Sequence, residues 1–261
     1  MKELAIGVSG INAVDNPGPG VGVARSLKEA ADLNARIIGL AYDAMEPGIY
    51  MDWVVDRSFI MPYPSGDGAA YFDRLAFIRE QHGLDLLIPS LDAELPLYIK
   101  RAADLKAAGI ATFLPTMEQF KLRGKDKLTE VAERMDIKLP KTKICTSLDQ
   151  LHEAVEELGL PVMVKGSFYK AYAAYTSAQA VGHFHALVAE WGYPVIVQSI
   201  VSGEELNVIG VGDGAGGSLG TGGIKKISVT ALGKIWTGVT IKHQPMLDAA
   251  NRFIRELKWR G

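Results

Sequence analysis

A lysine closes one strand-like run of the sequence, and an acid pair follows another. Residues 161–166 read Pro-Val-Met-Val-Lys-Gly, and 194–201 read Pro-Val-Ile-Val-Gln-Ser-Ile-Val. Both runs are apolar, rich in β-branched residues and opened by a proline, with a helical pattern between them. Lys165 ends the first run. A buried ammonium must pair or face a cavity, because alone it is too costly. The second run ends at Gln198, Ser199, Ile200 and Val201, and Ser202-Gly203 turns the chain into Glu204-Glu205-Leu206-Asn207-Val208. A carboxylate pair inside a strand pattern is out of place unless one of the two faces a polar ligand. The plainer alternative is a solvated strand end on each run.

The elements that must carry these residues fall into two sets. The first begins with a strand at 4–9, a Gly-rich loop and a helical stretch. That order suits anion binding at a helix start. Gly18-Pro19-Gly20-Val21-Gly22 lacks the third glycine of a dinucleotide fingerprint and is interrupted by Pro19, so a tight turn and a substrate-contacting loop both remain open, and dinucleotide binding in a Rossmann-type oxidoreductase is the poorest of the three readings. Strands are expected in Arg36–Tyr42, Trp53–Ile60, Asp85–Ser90 and Gly109–Leu114, alternating with helices that include 67–82 and one reaching about Ala108. Strand–helix alternation implies a parallel sheet covered on both faces. Ligands of such sheets sit beyond the strand C-termini. The loop holding Asn12, and Asp92 with Glu94 after the fourth strand, occupy those places. Asp92 could equally cap the helix it precedes.

Capping boxes at Thr116–Gln119 and Ser147–Gln150 open the second set. Helices are expected at about 126–135, from Leu148 to Leu158, at 178–191 and at 246–258. His183 and His185 lie two residues apart on a helix, on different sides of the cylinder, which is wrong for a shared metal. The segments VIGVGDG, GTGGIKKISVT and KIWTGVTI are strands joined by tight turns, hence antiparallel. Lys225 and Lys226 are neighbours on one of them, so only one can point into a cleft.

The 261 residues are 48% apolar with a formal net charge of −2, a chain of one to three small domains with ample core. The charge balance argues against a nucleic-acid surface. No apolar run approaches the roughly 20 residues of a membrane span, and the N-terminus lacks a signal-peptide pattern. With Cys145 as the one cysteine, no intrachain disulfide can form, and a cytoplasmic setting is expected.

VMVKGS, VIVQSIVSGEELNV and GKDKLTEVAERMDIKLPKT, in that spacing, resemble the ATP-grasp superfamily. It includes biotin carboxylase, D-Ala-D-Ala ligase and the synthetase halves of carbamoyl-phosphate synthase. The resemblance runs from residue 1 nearly to the C-terminus. It implies an α/β pre-ATP-grasp domain over 1–115 with a parallel sheet. An ATP-grasp domain over 116–261 follows, more α+β in character, with a small lid of about 140–200 and an incomplete large subdomain. It implies an ATP-dependent ligase that activates a carboxylate, or bicarbonate, through an acyl phosphate that a nucleophile then displaces. By position, Lys127 and Lys165 resemble the two phosphate lysines, and Lys226 is favoured as a third. Gln198 stands at the adenine edge, the Ser199 carbonyl and Val201 N–H are the expected backbone contacts to adenine, and Glu205 resembles the ribose acid. Asn12, Asp92 and Glu94 are the candidate substrate contacts.

Two departures from the pattern matter. SFYKAYAAY, residues 167–175, replaces the usual Gly- or Ser-rich flap, with Tyr169, Lys170 and Tyr172 making it bulkier and aromatic. Mg²⁺ is expected for the superfamily, yet no metal ligands are assigned, because the chain ends before the strands that carry them in relatives. The expectation is therefore little ATP turnover by this polypeptide alone, with a second chain supplying the missing strands or a homo-oligomer as partner. The alternative is a non-catalytic nucleotide-binding or regulatory protein.

Overall fold

A computed structural model describes residues 3–14, 16–124, 127–167, 170–230 and 233–261. The fold divides into two compact units, one reaching to Met117 and one spanning Glu118–Arg260.

The first unit is built on five parallel strands: β1 (Leu4–Ser9), β2 (Ala35–Ala41), β3 (Arg57–Ile60), β4 (Leu86–Ile88) and β5 (Ala111–Thr112). Their order is β3-β2-β1-β4-β5, so the chain reverses direction across the sheet next to β1. Helices α1 (Pro19–Glu29), α2 (Gly68–His82), α3 (Leu95–Lys100) and α4 (Ala102–Ala107) complete it. Successive side chains of a strand face opposite sides. Ile37 accordingly joins Ile6, Val8, Ala24 and Val55 in one core cluster. Ile38 and Leu40 join Tyr71, Leu75, Ile78 and Tyr98 in the other. Both faces are thus covered, which is why the strands read as continuous apolar runs.

Three features differ from the sequence expectation. The strand expected from Trp53 begins only at Arg57. Val54 and Val55 are buried in a turn whose N–H groups both donate to the Met51 carbonyl. The helix toward Ala108 is broken at Arg101, which separates α3 from α4. The N-cap of α3 is Glu94, not Asp92, and no side chain caps it.

Helix α5 (Met117–Leu122) starts at the division, with all but its first residue in the second unit, and α6 (Leu128–Arg134) follows. A four-stranded antiparallel sheet follows, formed by β6 (Thr142–Cys145), β7 (Val162–Gly166), β8 (Ala171–Ala174) and β9 (Val195–Ser199) in the order β6-β9-β7-β8. Helices α7 (Leu148–Leu158) and α8 (Ser177–Trp191) cover one face of it, over Val162, Val164, Val195 and Val197. Ser147 Oγ accepts from Gln150 N–H, and Gln150 Oε1 reaches back to Thr146 N–H at 2.8 Å. Thr176 and Gln179 repeat the arrangement at α8. Last come β10 (Leu206–Gly212), β11 (Ser218–Val229) and β12 (Ile235–Ile241), an antiparallel meander, and α9 (Gln244–Leu257), which packs on β10 and β11. The class is α/β, with antiparallel sheets in the second half. Among the described residues no helix is long and apolar enough to cross a membrane.

Candidate functional site

The sheet of β6–β9 has one face buried under α7 and α8, so the alternate residues must face the other way. Lys165 and Gln198 are on that second face, partly exposed, with the buried Ile196 between them. Lys165 Nζ donates to Gln198 Oε1 at 2.6 Å, and Gln198 Nε2 donates to Thr142 Oγ1 at 2.8 Å. Thr142 sits opposite Gln198 in the β6–β9 register, so the chain of bonds crosses three strands in order. Half-burial lowers the Lys165 pKa below its ordinary value, and the charge of Glu205 pulls it back up. Thr142 carried no motif; its part is visible only once β6 lies beside β9.

The acid pair splits as strand alternation requires, although both residues precede β10 instead of lying within it. Glu205 pairs with Lys226, and Glu204 with Lys225. The Lys226 side chain is 13% exposed and that of Glu205 71%. Lys165, Gln198, Glu205 and Lys226 therefore belong to one neighbourhood, joined by hydrogen bond, field and ion pair. Ser199 N–H donates to the Lys141 carbonyl at 2.9 Å, and Val201 beyond it is exposed. Lys127 stands exposed as the N-cap of α6. No hydrogen bond among the described residues links it to Lys165 or Lys226. Tyr169 of the expected flap lies outside the described residues, and Ala171–Ala174 of that segment form β8.

Lys165 on the β6–β9 sheet, with Glu205 beside it and Glu205's partner Lys226 on β11, fits the charge of a nucleoside polyphosphate. A magnesium site is another matter. Among the described residues no three His, Cys, Asp or Glu side chains converge, and Glu205 is held by a lysine. No step is derived through Mg²⁺.

A second polar centre lies in the first unit, beyond the C-terminal ends of β1, β2 and β4. Glu94 is fully buried. Its Oε2 accepts from Ser9 Oγ at 2.6 Å and from Leu91 N–H at 3.2 Å, and its Oε1 accepts from the Tyr42 hydroxyl. Ser9 Oγ accepts from Ser90 N–H at 2.9 Å. Tyr42, Tyr71 and Tyr98 continue the chain hydroxyl to hydroxyl. Because Tyr42 donates to Glu94, Tyr71 must donate to Tyr42 and Tyr98 to Tyr71. Burial raises the Glu94 pKa above its ordinary value, opposed by the hydrogen bonds from Ser9, Tyr42 and Leu91.

Glu94 lines a cavity of about 510 Å³ with Asn12, Tyr42, Asp43, Glu46 and Tyr63. Asp92 is exposed and is not among the lining residues. Glu46, Tyr42 and Tyr63 escaped the sequence reading. Glu46 is brought in because the β2–β3 connection folds back, with Gly48 N–H donating to the Ile11 carbonyl at 3.0 Å. Pro47 after Glu46, at the start of a short 3₁₀ turn, was the local signal.

No family model matches the chain. It is 27% identical over 170 residues to phosphoribosylamine–glycine ligase of Agrobacterium fabrum, covering 62% of this chain and 39% of that protein. It is 29% identical over 122 residues to the carbamoyl phosphate synthase large chain of Clostridium botulinum, covering 44% and 11%. The likeness to solved structures covers the whole chain. Biotin carboxylase of Campylobacter jejuni, in a β-γ-ATP complex, gives a TM-score of 0.68 at 15% identity over 100% of this chain and 60% of that one. The biotin carboxylase domain of the Hydrogenobacter thermophilus 2-oxoglutarate carboxylase, solved with MgADP, ADP and bicarbonate, gives 0.67 at 14% identity over 99% and 58%. The chain thus spans less than two thirds of the length of each of these relatives. Through both units, and as its motifs implied, it has the fold of the ATP-grasp enzymes.

Proposed function

We propose that this chain binds ATP on the open face of the β6–β9 sheet and belongs to a ligase that activates a carboxylate. The observation that carries the reading is the Lys165–Gln198–Thr142 chain with Glu205 beside Lys165. In this reading Lys165 and Lys226 meet the phosphates, where charge and position supply most of phosphoryl-transfer catalysis. The Ser199 carbonyl and the Val201 N–H hold adenine, and Glu205 leaves Lys226 to take the ribose hydroxyls. Lys127 joins the phosphates when nucleotide is present. A carboxylate oxygen forms a bond to the γ-phosphorus, the bond to the β,γ-bridging oxygen breaks, and ADP leaves. A nucleophile then takes the acyl group and releases phosphate. The named relatives, a ligase and a synthase, and the nucleotides in the solved neighbours support this class.

Calorimetric titration with ATP tests it. Lys165→Ala should weaken binding about tenfold or more, the loss expected when a charged partner is removed from a half-buried site. Because burial lowers the Lys165 pKa, the positive charge disappears at a lower pH than for an ordinary lysine. ATP affinity should therefore fall as pH rises through that range, and Lys165→Arg should move the fall to higher pH. Unchanged affinity in Lys165→Ala would sink the reading. The alternative is nucleotide binding without turnover. Measuring ADP release with Mg²⁺ present separates the two.

A further inference from the structure

The hydroxyl of Thr142 has no task of its own in nucleotide binding, yet it decides how the groups beside it point. Thr142 opens β6 opposite Gln198 in the β6–β9 register. Its Oγ1 donates to the Pro140 carbonyl at 2.8 Å and accepts from Gln198 Nε2 at 2.8 Å. Gln198 Oε1 in turn accepts from Lys165 Nζ at 2.6 Å. The three bonds run in one line. They pass from an ammonium on β7, through an amide on β9 and a hydroxyl on β6, to the main-chain carbonyl two residues before that hydroxyl.

The ends of the line permit a single proton direction. An ammonium donates and never accepts, and a carbonyl oxygen accepts and never donates. The hydroxyl has one proton and Pro140 takes it, so Oγ1 meets the amide with its lone pairs. The amide must then turn its NH₂ to Thr142 and its oxygen to Lys165. Reversed, it would set NH₂ against the ammonium, donor against donor, and its oxygen against the lone pairs of Thr142. Both bonds would be lost among half-buried groups, and the bond to a charge is the stronger of the two. A β-branched residue holds χ1 stiffly, so the hydroxyl is presented at little entropic cost. The charge acting on Lys165 from outside the sheet is that of Glu205, which Lys226 of β11 pairs. On the flanking strands, Lys143 pairs with Glu157 of α7 and Tyr172 stacks on His183 of α8. Thr142 is uncharged, so a neutral substitution there leaves all of these charges in place.

We propose that Thr142 is a positioning residue: its hydroxyl fixes the direction of the Gln198 amide, and the amide oxygen holds the Lys165 ammonium on the β6–β9 sheet. As a statement about nucleotide affinity, this rests on the reading of Lys165 as a phosphate lysine. As a statement about Lys165 itself, it stands on the three hydrogen bonds.

Carbon-13 NMR of the full chain, labelled at lysine Cε and titrated with pH in the absence of nucleotide, tests it. Lys165→Arg identifies the Lys165 resonance. Thr142→Val keeps the shape and removes the hydroxyl, whereas Thr142→Ser keeps the hydroxyl and removes the methyl. A hydrogen bond to the charged form favours that form. Thr142→Val should therefore move the Lys165 midpoint to lower pH, by about half a pH unit for the loss of one net bond, and Thr142→Ser should restore it. ATP affinity at neutral pH should fall about three- to tenfold in Thr142→Val and recover in Thr142→Ser. Should Thr142→Val lose its circular dichroism signal, Thr142→Ala takes its place, with the same direction of effect. A lowered melting temperature with an unmoved Lys165 midpoint is the mark of a merely structural hydroxyl and overturns the proposal, as do equal midpoints in the Val and Ser variants. A shifted midpoint in a chain that does not bind ATP removes the nucleotide reading and leaves the assignment of Thr142. ATP binding that Lys165→Ala abolishes, with Thr142→Val matching the parent in both affinity and midpoint, does the reverse.

Discussion

Glu94 shows what a single buried acid does in this fold. Its carboxylate accepts from a hydroxyl on β1, a backbone N–H after β4 and a tyrosine after β2, so it ties three strand ends together. Burial and hydrogen bonding oppose one another at this group, and burial prevails. The folded state therefore holds the proton above the ordinary value of 4.5. The sign follows: the contribution to stability is complete below that value and is lost as pH rises through the folded value. Glu94→Gln cannot ionise, so its unfolding midpoint should vary less over that window than the parent's; parallel curves would contradict the account. The amide can still accept one set of bonds, and its NH₂ can donate to Tyr42 if the hydroxyl chain reverses direction. Glu94→Ala offers neither. It strands Ser9, Tyr42 and Leu91 N–H in the interior, which should cost about 3 kcal/mol in urea denaturation. The Gln variant should recover most of that loss.

At the scale of elements, the start of α1 is packed closely against the end of β1. Gly18 is the N-cap of α1, and Pro19 sits in its first turn. Gly20 N–H donates to the Gly10 carbonyl at 3.0 Å, and Val21 N–H to the Gly18 carbonyl at 3.2 Å. Two donors of the helix start are thereby spent inside the chain, not offered to a phosphate. A Cβ on Gly20 would lie 1.8 Å from the Ser9 carbonyl oxygen. Gly20→Ala must therefore push α1 away from β1, and we expect a loss of several kcal/mol, at the severe end for a single substitution. Gly22→Ala, which meets nothing within 4 Å, is its control and should be neutral or better. Comparable denaturation midpoints for the two would refute the close-packing reading. The same locality explains what was legible in the chain. Periodicity and caps placed β1, α7 and α8 almost to the residue, because those signals lie within a few positions of one another. It misjudged Trp53–Val55, since a buried turn and a buried strand share an apolar composition. It read Ala171–Ala174 as flap, since alanine has little strand preference and only pairing with β7 makes it one. Gln198 was picked out only by the resemblance, whereas Lys165 and the Glu204–Glu205 pair stood out as misfits of charge in apolar runs. The Glu94–tyrosine chain did not, because its members are 27 to 52 residues apart, and no local pattern joins them.

At the scale of the molecule, each unit closes its own core. The two clusters of the first unit use residues between Ala5 and Leu114. The clusters of the second use residues between Val131 and Leu257. A chain of roughly 117 residues is large enough to bury a sufficient share of its apolar surface alone. The first unit also keeps every member of the Glu94 network, from Ser9 to Tyr98. Residues 1–117 produced alone should therefore unfold cooperatively and keep a near-ultraviolet dichroism signal from the packed tyrosines. Glu94→Ala should lower the midpoint of that fragment by about 10 °C or more, the shift that a loss near 3 kcal/mol gives a domain of this size. A fragment that keeps its far-ultraviolet signal but melts without a transition would mean that strand pairing survives while the tyrosine core does not. In that case the division into self-sufficient units would have to be abandoned.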